Sequence, residues 1–239
     1  MKKLLPLLCL VAGFSSAASA ADISTMQNLA QSEFRLLSED LGSALSYKPL
    51  APAEPLGITG FDLGLAVTST DISKSSAALA KASGGSSPIS TLIIPKLSVA
   101  KGLPFDIDVA AFISAIPSTN IKLVGGELRY AIMSGGVVLP AVAIRGAITK
   151  LSGVDQLSFD TKSLDLSISK GFAMFTPYAG VGQVWVNSTA NVANLSNESF
   201  TQGKVFVGAN LNLGLVNFAL EGDRTGGAAS YSLKAGFRW

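Results

Sequence analysis

A period-two alternation of apolar and polar residues runs from about Leu56 to Trp239 and leaves few folds open to this chain. It breaks into ten runs, near 57–69, 90–101, 104–116, 121–133, 136–150, 157–169, 173–187, 200–213, 216–223 and 230–239, divided by Gly, Pro, Asn or Ser clusters. Each reads as an antiparallel strand. Odd positions carry the apolar bulk in the first run (Phe61, Leu63, Leu65, Val67), the third (Phe105, Ile107, Val109, Ile113), the eighth (Val205, Val207, Leu211, Leu213) and the tenth (Tyr231, Leu233, Phe237, Trp239). Even positions carry it in the fourth (Leu128, Tyr130, Ile132), the fifth (Val138, Val142, Ile144, Ile148), the sixth (Leu164, Leu166, Ile168) and the ninth (Val216, Phe218, Leu220). The seventh run leaves both faces open, since Phe175, Val181 and Trp185 compete with Tyr178, Val184 and Val186.

Mid-strand charges decide what those faces meet. Asp62, Lys96, Asp106, Asp108, Glu127, Arg129, Arg145, Asp165, Lys204, Glu221, Lys234 and Arg238 all fall opposite the apolar side. A Lys or Arg facing lipid at mid-depth would cost about 2–4 kcal/mol. A half-exposed soluble sheet alternates too, but such a domain carries about 25% charged residues, and this chain has 14% with a mean hydropathy of +0.44. The expectation is an all-β, up-and-down transmembrane barrel of about ten strands, with eight to twelve admissible, whose charges line the lumen. Connections at 70–89, 151–156, 188–199 and 224–229 read as long and polar, and those at Gly102-Leu103, Ser134-Gly135, 170–172 and Gly214-Leu215 as tight. That contrast fits outer loops and periplasmic turns, with Pro117–Asn120 as a short exception. An even strand count then puts both chain ends on the periplasmic side. Phe61, Phe105, Phe172, Phe175, Phe218, Phe237 and Trp239 lie near the tight turns or chain end, as an interfacial aromatic girdle would.

The first residues read as an export signal, removed after about Ala20: Lys2 and Lys3, an apolar stretch from Leu4 to Phe14, then Ala18-Ser19-Ala20. The one cysteine, Cys9, falls inside it, so no disulfide or thiolate site is expected. Without Lys2 and Lys3 the 18 basic residues become 16, equal to the 16 acidic ones, and a neutral chain offers no footprint for nucleic acid. Residues 21–55 form a separate N-terminal segment before the barrel of 56–239. Met26, Ala30, Phe34, Leu37, Leu41 and Leu45 repeat at helical spacing from Ser24 to about Ser46, with Ser24 and Gln27 as a capping box. Pro49, Pro52 and Pro55 mark a linker. The helix could plug the lumen, cap its periplasmic mouth or lie on the leaflet. Because small barrels are largely filled by their own side chains, capping or partial insertion is favoured over a full plug.

The chain ends Tyr231-Ser-Leu233-Lys-Ala-Gly-Phe237-Arg-Trp239. A terminal aromatic with apolar residues at alternate positions before it resembles the closing strand of Gram-negative outer-membrane β-barrel proteins. The resemblance covers about nine residues and the export signal. It implies residence among outer-membrane lipid and recognition of Tyr231, Leu233, Phe237 and Trp239 by the barrel-assembly machinery.

No histidine occurs anywhere in the chain, which removes Ser-His-Asp and Cys-His catalysis and the commonest zinc sets. The expectation is no enzyme, no catalytic residues, no cofactor and no metal. Asp106 and Asp108 could pair as a cation site, but a lumen salt-bridge network accounts for them better. Six acids and six bases inside argue for ion pairing or weak selectivity. The expected function is a narrow, weakly selective channel for small solutes with a helix near its periplasmic mouth. The alternative is a non-conducting structural or binding barrel acting through loops 70–89 and 188–199 or through that helix.

Overall fold

The computed structural model describes residues 23–115 and 121–239. The expected export signal and the Pro117–Asn120 connection lie outside the described residues. Ten strands close into one antiparallel barrel: β1 Phe61–Asp71, β2 Thr91–Leu103, β3 Ile107–Ala115, β4 Lys122–Ser134, β5 Ala141–Ser152, β6 Leu157–Ser169, β7 Phe175–Ala190, β8 Glu198–Leu213, β9 Val216–Thr225 and β10 Ala228–Arg238. Each strand pairs with its sequence neighbour, and β1 pairs with β10 from Asp62↔Arg238 to Thr70↔Ser230, leaving no free edge. Two helices accompany them: α1 at Gln31–Leu45, preceded by one 3-10 turn at Met26–Asn28, and α2 at Ser76–Ala82 inside the β1–β2 connection. No described helix is long and apolar enough to cross a membrane.

The alternation sets the two surfaces. On β5, Ile144 and Ile148 face out at 37% and 60% exposure while Arg145 between them is fully buried. Leu65, Leu128, Leu164, Leu166, Val207 and Leu220 are likewise exposed on the outside. On β7, Phe175, Val181 and Trp185 face out, and Tyr178, Val184 and Val186 face in. A closed barrel with an apolar exterior and a charged interior is the architecture of the Gram-negative outer membrane.

The connections differ from the expected contrast in two places. Segment 224–229 is no long loop: β9 runs to Thr225 and β10 starts at Ala228, leaving the two-residue hairpin Gly226-Gly227, with Gly226 at φ +56°. At the other end Ser134-Gly135 opens into a loop over 135–140, where Lys170 Nζ donates to the carbonyls of Gly136, Val137 and Leu139. Val138 belongs to that loop, not to β5; its even-numbered bulk continued the alternation past the true strand end. The face carrying 72–90 and 191–197 is called here the loop face, and the opposite one the turn face. Phe61 stacks on Trp239 at the turn face, ring centroids 4.9 Å apart, and Phe105, Phe172 and Trp239 are exposed there.

The N-terminal segment corrects the sequence expectation most sharply. It neither caps the periplasmic mouth nor lies on a leaflet but fills the lumen from end to end. Ser24 and Thr25 N–H groups donate to the Ala82 carbonyl at the loop face, 3.1 and 2.9 Å away. From there α1 descends into the barrel and residues 46–56 continue to the turn face, where Gly60 N–H meets Gly57 and β1 begins. The barrel itself starts and ends at the turn face, whereas residue 23 lies at the loop face. Room for a helix about 10 Å wide exists because the upper wall points small groups inward: Thr68, Thr70, Thr149, Thr161, Ser163, Ser188, Ser230 and Ser232 are all buried.

Candidate functional site

An extended chain inside a barrel has a problem a helix does not: its backbone N–H and C=O groups have no partners of their own, and burying them unpaired is costly. Residues 46–56 meet this in two ways. Pro49, Pro52 and Pro55 have no N–H to satisfy. Several of the remaining groups find charged or hydroxyl side chains on the wall. Lys204 Nζ donates to the Tyr47 carbonyl and Lys96 Nζ to the Lys48 carbonyl, both at 2.8 Å. Glu221 accepts from Leu50 N–H at 3.0 Å, Ser169 from Ala53 N–H at 3.0 Å, and Asp108 from Leu56 N–H at 3.1 Å. Arg129 donates to the Pro52 carbonyl. Five of the lumen charges, Lys96, Asp108, Arg129, Lys204 and Glu221, therefore form a hydrogen-bonding wall for the threaded peptide.

Those charges also pair with one another. Arg129 Nε lies 3.0 Å from Asp108, Lys204 Nζ 3.1 Å from Asp165 and Lys234 Nζ 2.8 Å from Asp62. Lys48, from the threaded segment itself, reaches Asp223 at 2.7 Å. Tyr178 donates to Glu221 at 3.0 Å, and Lys96 sits over the rings of Tyr47 and Phe112. Arg145 Nε is 2.9 Å from Glu127, close enough for an ion pair but not aligned as a hydrogen bond. Arg238 lines the turn-face end of the lumen beside Asp62 and Lys234, around a residual cavity of about 30 Å³.

Higher up the chemistry changes. Phe34, Leu37, Leu41, Ala44 and Leu45 of α1 pack into a buried cluster with Val184, Val186, Leu151, Leu157 and Phe159 of the wall. Gly42 marks the closest approach, since a Cβ there would stand 2.8 Å from both Val186 and Gln202. The helix start also departs from expectation. Glu33 accepts from Ala30 N–H at 2.9 Å, so the cap is formed at Ala30 and Glu33 rather than at Ser24 and Gln27.

At the loop face the top of α1 is tied to three connections. Arg35 pairs with Glu198 at 2.9 Å and lies 4.1 Å over the Phe200 ring. Asn194 donates to the Gln27 carbonyl at 2.9 Å, and Gln156 accepts from Met26 N–H at 2.8 Å. Glu33 pairs with Lys81 of α2, and this ion pair holds its carboxyl below the ordinary range. Asp40 accepts from Ser75 N–H at 3.0 Å; burial raises its carboxyl above the ordinary value, outweighing the Ser75 hydrogen bonds.

Of the twelve charges read as lumen-facing, Asp62, Lys96, Asp108, Glu127, Arg129, Arg145, Asp165, Lys204, Glu221, Lys234 and Arg238 sit inside the wall. Asp106 does not. It occupies the exposed β2–β3 turn at φ +57° and accepts from Ser134 Oγ at 2.7 Å. Asp106 and Asp108 consequently form no carboxylate pair. The alternation extends the third run back to 104, but Phe105 and Asp106 both have positive φ and turn the chain before β3 starts at Ile107. Sequence reasoning missed Lys48 and Asp223; the signal available for Asp223 was its share of Glu221's face on β9. Tyr231, Leu233, Phe237 and Trp239 are exposed on the outside, on the strand that seals the barrel against β1.

No family model and no curated protein matches the chain. Among solved structures it is similar to Ail, the attachment invasion locus protein of Yersinia pestis, at 8% identity over 75% of this chain and 98% of that chain, TM-score 0.33. It is similar to LpxR from Salmonella typhimurium at 11% identity over 73% and 99%, TM-score 0.35. It is similar to the translocator domain of autotransporter NalP from Neisseria meningitidis at 10% identity over 93% and 100%, TM-score 0.36. Likeness at this level says nothing about what the chain binds or does. One expectation is corrected all the same: that the chain is no enzyme does not follow, since barrels of this architecture include enzymes as well as non-enzymes. The absence of histidine removes histidine-dependent chemistry alone.

Proposed function

From a closed barrel of the Gram-negative outer-membrane kind, we propose a plugged barrel that conducts no solute at rest and works through its loop face. The threaded segment carries this reading: residues 46–56 meet the lumen wall through Lys96, Asp108, Arg129, Lys204 and Glu221, and the cavity beside them that Lys96, Arg129 and Arg238 help to line holds about 30 Å³. Side chains and a plug at native packing density leave no continuous aqueous path. The loop face is a composite of the start of α1, α2 and connections 153–156 and 191–197, cross-linked by Arg35, Gln156, Asn194 and Lys81. In this reading the barrel stands among outer-membrane lipid, and the assembly machinery recognises β10 through Tyr231, Leu233, Phe237 and Trp239.

The test is electrical. The intact barrel in planar bilayers should be silent, and deletion of residues 23–56 should open a steady conductance. Steady current through the intact barrel would overturn the plugged reading. An epitope inserted before Ile23 should bind antibody on intact cells, because residue 23 emerges beside α2 at the loop face; detection only after the outer membrane is breached would reverse the orientation.

A further inference from the structure

We propose that the loop face holds a binding pocket for the alkyl end of a neutral single-chain amphiphile. A cavity of about 80 Å³ lies between α1, α2 and the loop-side ends of β2 and β5. Leu41 and Leu45 of α1, Leu79 of α2, Leu92 of β2, Leu151 of β5 and Val154 form its wall. Ser86 and Ser87 also line it, and both are exposed, which puts hydroxyls at the mouth.

Water fills such a space poorly. One water needs about 10–15 Å³ and two to four polar partners; the room is there, but the interior side chains are aliphatic. An apolar cavity of about 150 Å³ takes up benzene, so half that volume suits the last few carbons of an alkyl chain. Among the described residues no charged side chain lines the cavity, which favours a hydroxyl-type head at the serines over an ionic one.

Position decides where the occupant comes from. Leu92 stands in register with Thr70, and Leu151 with Leu123, and Thr70 and Leu123 are both buried on the lumen side. The cavity is therefore inside the hydrogen-bonded wall, cut off from bilayer tails. Its ligand enters from the aqueous face, past Ser86 and Ser87. Because α1 supplies part of the wall, the pocket rests on the plug being docked.

Primary alkanols from butanol to decanol, titrated calorimetrically into the barrel in nanodiscs, test this. Saturable binding of one alkanol per barrel is expected. Affinity should rise about fourfold per methylene for the first carbons and then level off once the cavity is full. Empty nanodiscs show a rise with every methylene, so a barrel curve that never levels would overturn the proposal. Ala80→Phe, which fills the cavity from α2, and Leu151→Phe, which fills it from the wall, should each weaken binding about tenfold or more. Unchanged binding in variants that keep heat-modifiable migration overturns it as well. Methyl NMR on the unaltered barrel decides the matter even if both variants misfold: Leu41, Leu45 and Leu151 must shift with alkanol, and their silence would sink the idea. Conductance measured on the same preparation reports the plug separately, so loss of plugging and loss of binding are told apart.

Discussion

The two halves of the lumen hold the same polypeptide by different means. Near the loop face the N-terminal segment is a helix, and its surroundings are aliphatic side chains and small hydroxyls. Near the turn face it is extended, and its surroundings are Lys, Arg, Asp and Glu. The difference follows from backbone accounting. A helix satisfies its interior amides and carbonyls itself, so its neighbours need supply only packing. An extended strand with no paired edge depends on the wall for every donor and acceptor. Below the ion pairs that tie the top of α1 to the loops, charge on the inner wall marks where the plug is not helical.

Breaking the lower half should cost most. Arg129→Ala would strand Asp108 without its cation and the Pro52 carbonyl without its donor, both buried. A loss of about 3–5 kcal/mol is expected, the usual cost of removing one partner of a buried pair, measured by urea unfolding in detergent. Replacing both ionic partners, Arg129→Leu with Asp108→Leu, should recover only part of this, because Leu56 N–H and the Pro52 carbonyl stay orphaned at about 1–3 kcal/mol each. Full recovery would show that the charges serve one another and not the threaded backbone.

In the upper half the cost should come from shape. Leu37, 1% exposed at the centre of the α1 cluster, should lose about 2–5 kcal/mol on truncation to Ala. A loss there with no change in conductance would mean that the lower segment alone closes the lumen.

These two halves were not equally legible beforehand. Strand β6 falls at Leu157–Ser169 as the alternation placed it, because a period of two cannot slip without exposing Leu164 and Leu166 to the interior. The helical stripe on Phe34, Leu37 and Leu41 was legible for the same reason, as a period. Its destination was not. Periodicity tells which side of α1 is buried and is silent on what buries it. The relevant signal was spread over the wall: small inward residues at Thr68, Thr70, Thr149, Thr161, Ser230 and Ser232, on four strands that lie far apart in sequence. The purpose of the lumen charges was hidden similarly. Asp108 and Arg129 look like a self-sufficient pair until Pro52 and Leu56 are placed beside them. Turn positions failed for a local reason, since Val138 and Asp106 continue a period that positive backbone angles at Gly135 and at Phe105 have already ended.

A smaller effect is expected at the top of α1. Burial raises the Asp40 carboxyl above its ordinary value of 3.8, so the docked helix carries a penalty at neutral pH. The docked form binds the proton more tightly than the free form. Docking should therefore strengthen as pH falls through the raised value, with the gain complete near 3.8. Glu33 works the other way: held low by Lys81, it contributes above its ordinary 4.5 and loses that contribution in acid. Being exposed, that pair is worth no more than about 1 kcal/mol. Asp40→Asn keeps an acceptor for Ser75 and removes the charge. Protection factors across α1, which take out the intrinsic pH dependence of exchange, should then be at least as high as in the unaltered protein at pH 7, and should change less than its do as pH falls toward 3.8. Faster exchange at pH 7 would mean that the ionised carboxylate holds the helix.

The smallest effect belongs to Thr70 and Ser230, and it sharpens the contrast between the halves. Their hydroxyls lie 3.0 Å apart, buried, and bond each other across the β1–β10 seam. Neither hydroxyl is bonded to the plug's backbone, since α1 provides its own partners there. Thr70→Val together with Ser230→Ala removes donor and acceptor at once, keeps nearly the same shape and strands nothing. The stability change should be close to zero, and either single substitution should be worse than the pair because it leaves one buried hydroxyl alone. If the double variant instead matched the loss at Arg129, the upper wall too would be holding the plug through polar contacts, and charge and hydroxyl would differ here in strength alone.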